Sequence, residues 1–281
     1  MSDDRATTAP SLEASSPFEL RVGQSDGVPD ADVRASVASG DIGFLHSFTT
    51  GSTVDGPGVR VVAWTAGCMW RCLYCHNPDT WRMTNGLPVT VDRAAEELRK
   101  YRRGLQVMSG GFTLSGGEPL MQHRFAVKLF AAARRMGIHT ALNTNGYYGH
   151  KLSDAELDSI DLVLLDLKAW DDARHQRLTG VDAASTRDFA LRLAARKRPV
   201  WVRYVLVPGL TNDPVEIESV AGFAASLGNV QRVDVLPFHQ MGKYKWEKLG
   251  IPYSLAGVAP ATREQVVPAI AAFRKKGLVA Y

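Results

Sequence analysis

The sequence predicts an α/β fold built on six parallel strands, for three reasons. From Ile42 onward, apolar runs of strand length alternate with helix-like stretches. Several of these runs are nearly continuous in Val, Leu and Ile, as expected for strands that are covered on both faces. The chemically distinctive residues follow directly after the runs. Such a chain forms either an open doubly wound sheet or a barrel, complete or partial.

The predicted strands follow one another at spacings that leave room for a helix between them. Parallel neighbours need such a crossover connection, so the spacing supports repeated βα units. The six strands are Val59–Thr65, Gly111–Ser115, Ile138–Asn143, Leu162–Lys168, Val200–Val207 and Val230–Pro237.

Helix boundaries are marked by capping residues. The stretch Ser153–Glu156 has the form of a capping box, Thr262–Gln265 opens the final helix, and Asp213 precedes a proline at the first position of another helix. Two glycines suit helix C-termini. Pro268 is expected to bend or restart the final helix. The boundary signals are Ser153–Glu156, Thr262–Gln265, Asp213–Pro214, Gly137 and Gly228.

Residues 1–40 differ from the rest of the chain. They are rich in Ser, Ala, Asp, Pro and Gly and contain few aromatic or branched residues. Such a segment buries too little apolar surface to offset its ordering entropy. We therefore predict a disordered tail over 1–40 and one domain over 41–281, a length that supports a large core.

Composition excludes several other classes of protein. Net charge is +4, and no aromatic-interleaved basic stripe suggests nucleic acid as a partner. No apolar run approaches the ~20 residues that span a bilayer. The first residues, Met1–Arg5, lack the features of a signal peptide. We expect a cytoplasmic protein without membrane or nucleic-acid partners.

All three cysteines of the chain, Cys68, Cys72 and Cys75, lie within eight residues. Thiolates this close, without a partner elsewhere, indicate one soft metal centre with three protein ligands and an open position. An iron–sulfur cube normally takes four cysteines, so three would leave one iron free for chemistry.

Four other interpretations of the cysteines compete with this one. A disulfide would pair two of the thiols, leave the third unpaired and require an oxidising compartment. A structural zinc site could add His76 to the cysteines, although zinc ribbons usually join two separated ligand pairs. The string Cys72–His76 also matches a c-type haem attachment site, which leaves Cys68 unexplained. The fourth interpretation is three buried cysteines acting as small apolar residues.

Polar or glycine-rich residues follow every predicted strand. Because functional residues of parallel α/β folds gather just beyond the strand C-termini, these segments predict one site. They are the cysteines, Gly116–Glu118, Asn143–Gly146, Asp166–Lys168, Val207–Gly209 and Pro237–His239.

Three of these segments also have a plain structural explanation. The glycine pair before Glu118 lets a ligand approach the backbone closely, but it also suits a tight strand-to-helix turn. Asp166 and Lys168 point to the same side of a strand by period-two alternation. They are either ligand contacts or a surface pair. His239 is a ligand contact or a structural histidine.

The motif Cys68-x3-Cys72-x2-Cys75, followed by Gly116-Gly117-Glu118, resembles the radical S-adenosylmethionine superfamily. Further segments are similar to the family of pyruvate formate-lyase activating enzymes, from about Gly43 to the C-terminus. They are Gly51–Arg60, Cys72–Asn77, Leu165–Lys168, Trp201–Tyr204 and Leu236–His239.

The resemblance implies a partial (β/α)6 TIM-type barrel with a [4Fe-4S] cluster and S-adenosylmethionine as cofactors. It implies that one electron from the reduced cluster cleaves S-adenosylmethionine into methionine and a 5′-deoxyadenosyl radical. In the family, that radical removes a hydrogen atom from a backbone glycine of pyruvate formate-lyase. The cofactors carry the chemistry, while the protein orients them and excludes solvent.

The family's site residues transfer to matching positions of this chain. The resemblance implies that Cys68, Cys72 and Cys75 ligate the cluster. It assigns cofactor contacts to Tyr74, His76, Gly117, Asp166, Leu167, Lys168 and His239. Asp55, Asn77 and Arg203 are candidates for holding the target loop or the cofactor, and Arg203 is equally explained as a strand residue paired with a carboxylate.

One position departs from the family pattern. Asn143 stands where the family has an aspartate that belongs, with Asp166, to a monovalent-cation site. An amide retains an oxygen ligand but loses the charge. We therefore expect cation binding that is weaker or differently completed.

Three cysteines cannot hold a second cluster of this kind. The resemblance therefore implies an external one-electron donor such as flavodoxin or ferredoxin, and pyruvate formate-lyase as the partner of a monomeric activase. The alternatives are a radical enzyme acting on another glycyl-radical enzyme or on a small molecule, and a non-catalytic zinc-stabilised binding module.

Overall fold

The computed structural model describes residues 19–20 and 30–281, with side chains from residue 34 onward. The strands are β1 Glu19–Leu20, β2 Ile42–Ser52, β3 Arg60–Thr65, β4 Leu87–Thr90, β5 Gly111–Gly116, β6 His139–Thr144, β7 Leu162–Asp166, β8 Val200–Leu206 and β9 Val230–Pro237. The helices are α1 Asp30–Ser39, α2 Val91–Arg99, α3 Arg102–Val107, α4 His123–Arg135, α5 Asp154–Leu157, α6 Asp172–Thr179, α7 Ala184–Ala195, α8 Pro214–Ser226, α9 Lys243–Lys248 and α10 Arg263–Lys275.

A single sheet joins the strands in the order β1-β2-β3-β5-β6-β7-β8-β9, and β4 pairs with β2. Strands β3 and β5 to β9 are all parallel and lie side by side in chain order. A doubly wound sheet would reverse its strand order at a switch point. The unreversed order of six parallel strands is that of a partial barrel, so the predicted fold class is confirmed.

The six predicted strands are all present, with boundaries that differ by two residues at most. Strands β2 and β4 were not predicted. Strand β2 contains polar and glycine residues, such as Gly43 and Thr49, and it pairs with β3 in antiparallel fashion. An antiparallel strand at the side of the sheet carries a weaker apolar signal than a doubly covered parallel strand, which explains the omission.

Most of the segment predicted to be a disordered tail lies outside the described residues, and there it stays a prediction. Within it, Glu19 pairs with Thr49 and Leu20 with Phe48, which adds a short antiparallel strand to β2. Residues 30–39 form helix α1.

The predicted helix ends are confirmed. Capping boxes are present at Ser153 and Thr262, and the Asp213 side chain caps α8 ahead of Pro214. Gly137 and Gly228 adopt left-handed backbone conformations, with φ of +70°. Helix α10 runs through Pro268 without restarting.

The main hydrophobic core lies between the sheet and the helices and includes Phe48, Phe112, Phe130 and Phe273. A second apolar cluster contains Tyr74 of the loop after β3 together with Leu178, Val207, Phe238 and Leu255. Within the part of the chain that the structure describes, no helix is long and apolar enough to cross a membrane.

Candidate active site

The three cysteines lie on the loop that follows β3, here called the cysteine loop (residues 67–76). Backbone hydrogen bonds fix this loop on two sides. The Cys68 N–H donates to the Trp81 carbonyl at 3.0 Å, and the Arg71 N–H donates to the Thr179 carbonyl at 2.8 Å. The Cys75 N–H donates to the Cys72 carbonyl at 3.1 Å, which closes a tight turn between the last two thiols.

All three thiols are free and half-buried. Burial raises the pKa of each, and the pKa of Cys72 reaches about 12. The Lys168 ammonium opposes this shift at Cys72 and Cys75 because it stabilises a nearby thiolate. Among residues 34–281, no three His, Cys, Asp or Glu side chains lie together as ligands of a single metal ion.

Asp166 and Lys168, at the end of β7, lie beside the cysteine loop. Their side chains point to the same side, as the sequence predicted, and Lys168 Nζ is 3.1 Å from Asp166 Oδ2. Burial lowers the pKa of Lys168, but Asp166 and Cys72 outweigh burial and raise it overall. Lys168 therefore stays cationic. The Leu167 side chain lies in the main core, so only its backbone is free to face a cofactor.

Tyr74 lies under this ion pair. The Lys168 ammonium is 5.5 Å from the centroid of its ring. The Tyr74 hydroxyl is buried without a hydrogen-bond partner among the described residues, and burial raises its pKa well above the ordinary value. An unsatisfied buried hydroxyl has a free energy cost that a bound polar ligand would remove.

The glycine pair after β5 packs directly against the cysteine loop. A Cβ at Gly117 would lie 2.3 Å from the Gly67 carbonyl oxygen, which excludes any side chain there. Gly116 has φ of +122°, a conformation that favours glycine. The tight turn is therefore present and the Gly67 backbone approaches it closely, while contact of Gly117 with a ligand stays a prediction.

Glu118 joins this glycine turn to the loop after β6. Its carboxylate accepts hydrogen bonds from the Leu120 N–H at 2.9 Å, the Thr144 hydroxyl at 2.7 Å and the Asn145 N–H at 2.8 Å. Burial raises its pKa to about 7, although all three donors lower it. No role was predicted for Glu118 beyond its place in the Gly116–Glu118 segment.

His76 and His239 are brought together from opposite ends of the domain. Their ring centroids lie 4.3 Å apart, and His76 Nε2 is 3.2 Å from the His239 carbonyl. Burial and the neighbouring His239 lower the pKa of His76 to about 4, so the imidazole is neutral at pH 7.

The three residues suggested to hold a target divide into two groups. Arg203 Nη1 is 3.2 Å from Asp55 Oδ1, and the Ser52 hydroxyl donates to Asp55 Oδ2 at 2.6 Å. Arg203 is therefore paired with a carboxylate, as one of the two explanations expected. Asn77 contacts the opposite side of the cysteine loop, where its Oδ1 accepts from Lys245 at 3.0 Å.

Helix α9 contributes site residues that sequence reasoning missed. The Trp246 indole donates to the Cys75 carbonyl at 2.9 Å, and Lys245 Nζ is 3.0 Å from Asp79 Oδ2. His46 Nε2 lies 3.2 Å from the same Asp79 oxygen. No pattern in the sequence of α9 indicates that this short helix packs on the cysteine loop, because Trp246 and Cys75 are 171 residues apart in the chain.

Asn143 faces the same strand ends. Its Nδ2 donates to the Ser115 hydroxyl at 2.9 Å, while its buried Oδ1 has no hydrogen-bond partner within the described part of the chain. The amide thus retains a free oxygen where the family has a carboxylate.

Comparison with known proteins places this architecture in a class. The family model described as "Radical SAM superfamily" matches residues 62–218, which span β5 to β8 and the cysteine loop. A parallel partial barrel with three thiols after its first parallel strand defines a radical S-adenosylmethionine enzyme.

Curated relatives narrow the class. The chain is 43% identical over 225 residues to pyruvate formate-lyase 1-activating enzyme of Escherichia coli (strain K12), covering 79% of this chain and 92% of that protein. It is 41% identical over 244 residues to pyruvate formate-lyase-activating enzyme of Staphylococcus aureus (strain USA300), covering 84% and 97%. The chain belongs to the family of pyruvate formate-lyase activating enzymes, within the Radical SAM superfamily.

A solved structure agrees with this assignment. A domain of pyruvate-formate lyase-activating enzyme from Bacteroides vulgatus ATCC 8482 superposes with a TM-score of 0.51 at 25% identity, covering 61% of this chain and 98% of that one. Family membership implies a [4Fe-4S] cluster, S-adenosylmethionine and a glycyl-radical enzyme as partner.

Proposed function

We propose that this protein activates pyruvate formate-lyase by installing a glycyl radical on it. The observation that carries the proposal is that the cysteine loop lies beside the Asp166–Lys168 ion pair. The chain is also 43% identical to pyruvate formate-lyase 1-activating enzyme of Escherichia coli (strain K12). When bound, the [4Fe-4S] cluster and S-adenosylmethionine supply the reductive cleavage of a C–S bond.

The donor set fits a cluster. Cys68, Cys72 and Cys75 would ligate it, because thiolates are the usual ligands of iron–sulfur clusters. Burial keeps the thiols protonated in the free protein, so cluster binding releases protons. Lys168 partly offsets that cost by stabilising negative charge at Cys72.

The surrounding residues would hold S-adenosylmethionine. Gly117 would offer its backbone to the amino group, and Asp166 and Lys168 supply one charge of each sign for a zwitterion. His239, stacked on His76, would contact the cofactor through a neutral ring. Tyr74 contributes an unsatisfied hydroxyl, and Leu167 contributes its main chain.

Asp55 and Arg203 would hold the target loop of the partner. They form a largely buried ion pair, with side chains 8% and 11% exposed, and the buried Arg203 Nε has no hydrogen-bond partner among the described residues. A peptide carbonyl that displaces the groups covering this Nε and accepts from it would be held by the pair. Asn77, hydrogen-bonded to Lys245, would position the end of the cysteine loop instead.

A monovalent cation near Asp166 would have Asn143 Oδ1 as a neutral ligand. The free, buried oxygen supports this role. Replacing a carboxylate by an amide removes one negative charge, so the cation would bind less tightly than in a relative that has aspartate.

The remaining proposals concern the setting of the reaction. We propose a cytoplasmic monomer whose catalytic domain spans residues 41–281 and whose cluster receives electrons from flavodoxin or ferredoxin. An external donor follows from the cysteine count, which allows one cluster in this chain.

The test is formation of the radical on the partner. The reconstituted protein, reductant and S-adenosylmethionine are mixed anaerobically with pyruvate formate-lyase, and the glycyl radical is followed by electron paramagnetic resonance. We expect a radical signal with the native chain and none with Cys72→Ala. Cofactor cleavage without a radical on pyruvate formate-lyase would refute this partner while leaving the family assignment intact.

A further inference from the structure

The outer edge of the cysteine loop carries arginines that the proposed chemistry does not use. Arg71 lies on the loop itself, Arg82 lies on the segment hydrogen-bonded to it, and Arg177 lies near the end of α6. All three are exposed. Within the described part of the chain, none of them forms an ion pair with a carboxylate, so their charge faces solvent.

The segments that carry this edge contain no negative charge of their own. The segments 67–73, 81–86 and 176–180, which adjoin one another through backbone hydrogen bonds, contain no Asp or Glu. Met69, 36% exposed, adds an apolar contact beside the arginines. We call this surface, made of Met69, Arg71, Arg82 and Arg177, the arginine edge.

The arginine edge is connected to a thiol by direct contacts. Arg71 Nη1 donates to the Cys68 carbonyl at 2.7 Å and to the Trp70 carbonyl at 2.8 Å, which fixes the guanidinium on the loop. Its Cζ lies 4.7 Å from the centroid of the half-buried Trp81 ring. The Trp81 carbonyl accepts a hydrogen bond from the Cys68 N–H at 3.0 Å, and the Trp81 side chain lies close enough to the Cys75 thiol to lower its pKa against the rise that burial causes. An exposed cation, an indole and a cysteine thiol therefore follow one another from solvent inward.

We propose that the arginine edge is the docking surface for a small acidic one-electron donor protein. This inference rests on the proposed function, which needs an external electron. The donor would lose one electron, the cluster would gain it, and no bond forms or breaks at this surface. The positive charge of the arginine edge would steer an acidic partner to the surface beneath which Trp81 and Cys75 lie.

The experiment compares two charge variants with equal loss of charge. The triple variant Arg71→Gln/Arg82→Gln/Arg177→Gln removes the arginine edge. The control Arg99→Gln/Arg102→Gln/Arg103→Gln removes three exposed arginines of α2 and α3. Binding of oxidised flavodoxin is measured by calorimetry, and bleaching of the reconstituted cluster by reduced flavodoxin is measured by stopped flow, both at low and high salt.

We expect the triple variant to weaken flavodoxin binding and slow bleaching about tenfold at low salt, within the 10–10³ range of electrostatic steering. The difference should shrink at high salt because exposed charges are screened. The control should stay within about twofold. Bleaching by dithionite, a small reductant, should stay within about twofold in both variants.

Because Arg71 also holds the loop backbone, a double variant, Arg82→Gln/Arg177→Gln, leaves those contacts in place and should still lose about threefold. Unchanged flavodoxin binding in the triple variant, or an equal loss in the control, would overturn the docking surface. Absence of S-adenosylmethionine cleavage by the dithionite-reduced native protein would instead refute the proposed function, while the binding data would still decide this proposal.

Discussion

Lys245 Nζ lies 3.0 Å from Asp79 Oδ2, although 166 residues separate the two along the chain. The contact joins α9, beyond the last strand, to the segment that follows the cysteine loop. Asp79 Oδ2 also lies 3.2 Å from His46 Nε2, so one buried carboxylate connects the first long strand, the segment after the cysteine loop and the C-terminal part of the domain. Helix α9 is thereby held over the candidate cluster ligands.

Replacing Lys245 by methionine should loosen the cysteine loop. Asp79 would keep only His46 as a partner, and a buried carboxylate that loses its cation destabilises the fold. We expect the free energy of unfolding to fall by about 1–3 kcal/mol and iron to be lost faster to a chelator. Urea unfolding and timed iron release measure the two effects. The control, Lys243→Met, removes only an exposed pair with Glu247, and equal losses in both variants would contradict this account.

Glu118→Gln should weaken S-adenosylmethionine binding without touching the cofactor. Glutamine cannot accept from Leu120, Thr144 and Asn145 together, because one carboxylate oxygen becomes an amide donor. We expect a loss of about 1–3 kcal/mol in unfolding free energy and a weaker cofactor affinity by titration. Thr144→Val removes a single donor and should lose less. A larger loss in Thr144→Val would show that Glu118 is not the centre of the bridge.

Gly117→Ala should prevent the glycine turn from packing on the cysteine loop. The added methyl would lie 2.3 Å from a backbone oxygen of Gly67, so the loop must shift. We expect an iron content well below that of the native protein and a destabilisation of about 1–3 kcal/mol. Gly257→Ala is the matched control because its methyl meets no atom within 4 Å. Native iron content in Gly117→Ala would be incompatible with this packing.

The buried contact between Arg60 and His139 predicts a pH dependence of stability. Arg60 Nη1 is 3.2 Å from His139 Nδ1, and the pKa of His139 is lowered by burial and then by Arg60. Below pH 6.5, the ordinary pKa of histidine, the His139 imidazole is protonated in the unfolded chain but binds a proton less readily in the folded protein. The free energy of unfolding should therefore fall as pH drops below about 6.5, by at most about 1.4 kcal/mol per pH unit.

His139→Gln removes that titration but keeps an acceptor for Arg60. Urea unfolding between pH 7 and about 5 should show a shallower decline than in the native protein. His150→Gln, at an exposed position, should decline as the native protein does. If the free energy of unfolding fell equally steeply with pH in the native protein and in both variants, protonation of His139 would not contribute to the pH dependence.

The sequence predicted the parallel strands and the side of the sheet on which the site lies. Runs such as Leu162–Asp166 are apolar on both faces, and a local pattern suffices to identify them. The cysteine motif and the same-side placement of Asp166 and Lys168 are also local. Contacts such as Lys245–Asp79 were missed because tertiary packing alone brings α9 onto the cysteine loop.

Strand β2 is a second feature that local sequence patterns did not predict. Gly43 and Gly51 weaken its own strand signal, and pairing with β1, β3 and β4 determines its conformation. The Asp55–Arg203 pair likewise depends on the loop after β2 reaching the end of β8, which no spacing in the sequence encodes.

The most direct test is reductive cleavage of S-adenosylmethionine by the protein alone. The chain is reconstituted anaerobically with iron and sulfide, reduced with dithionite and assayed for 5′-deoxyadenosine, with Cys72→Ala prepared in parallel. We predict 5′-deoxyadenosine from the native protein and none from the variant. An intact, reduced cluster that yields no product would contradict the central claim and return the three thiols to a structural or electron-transfer role.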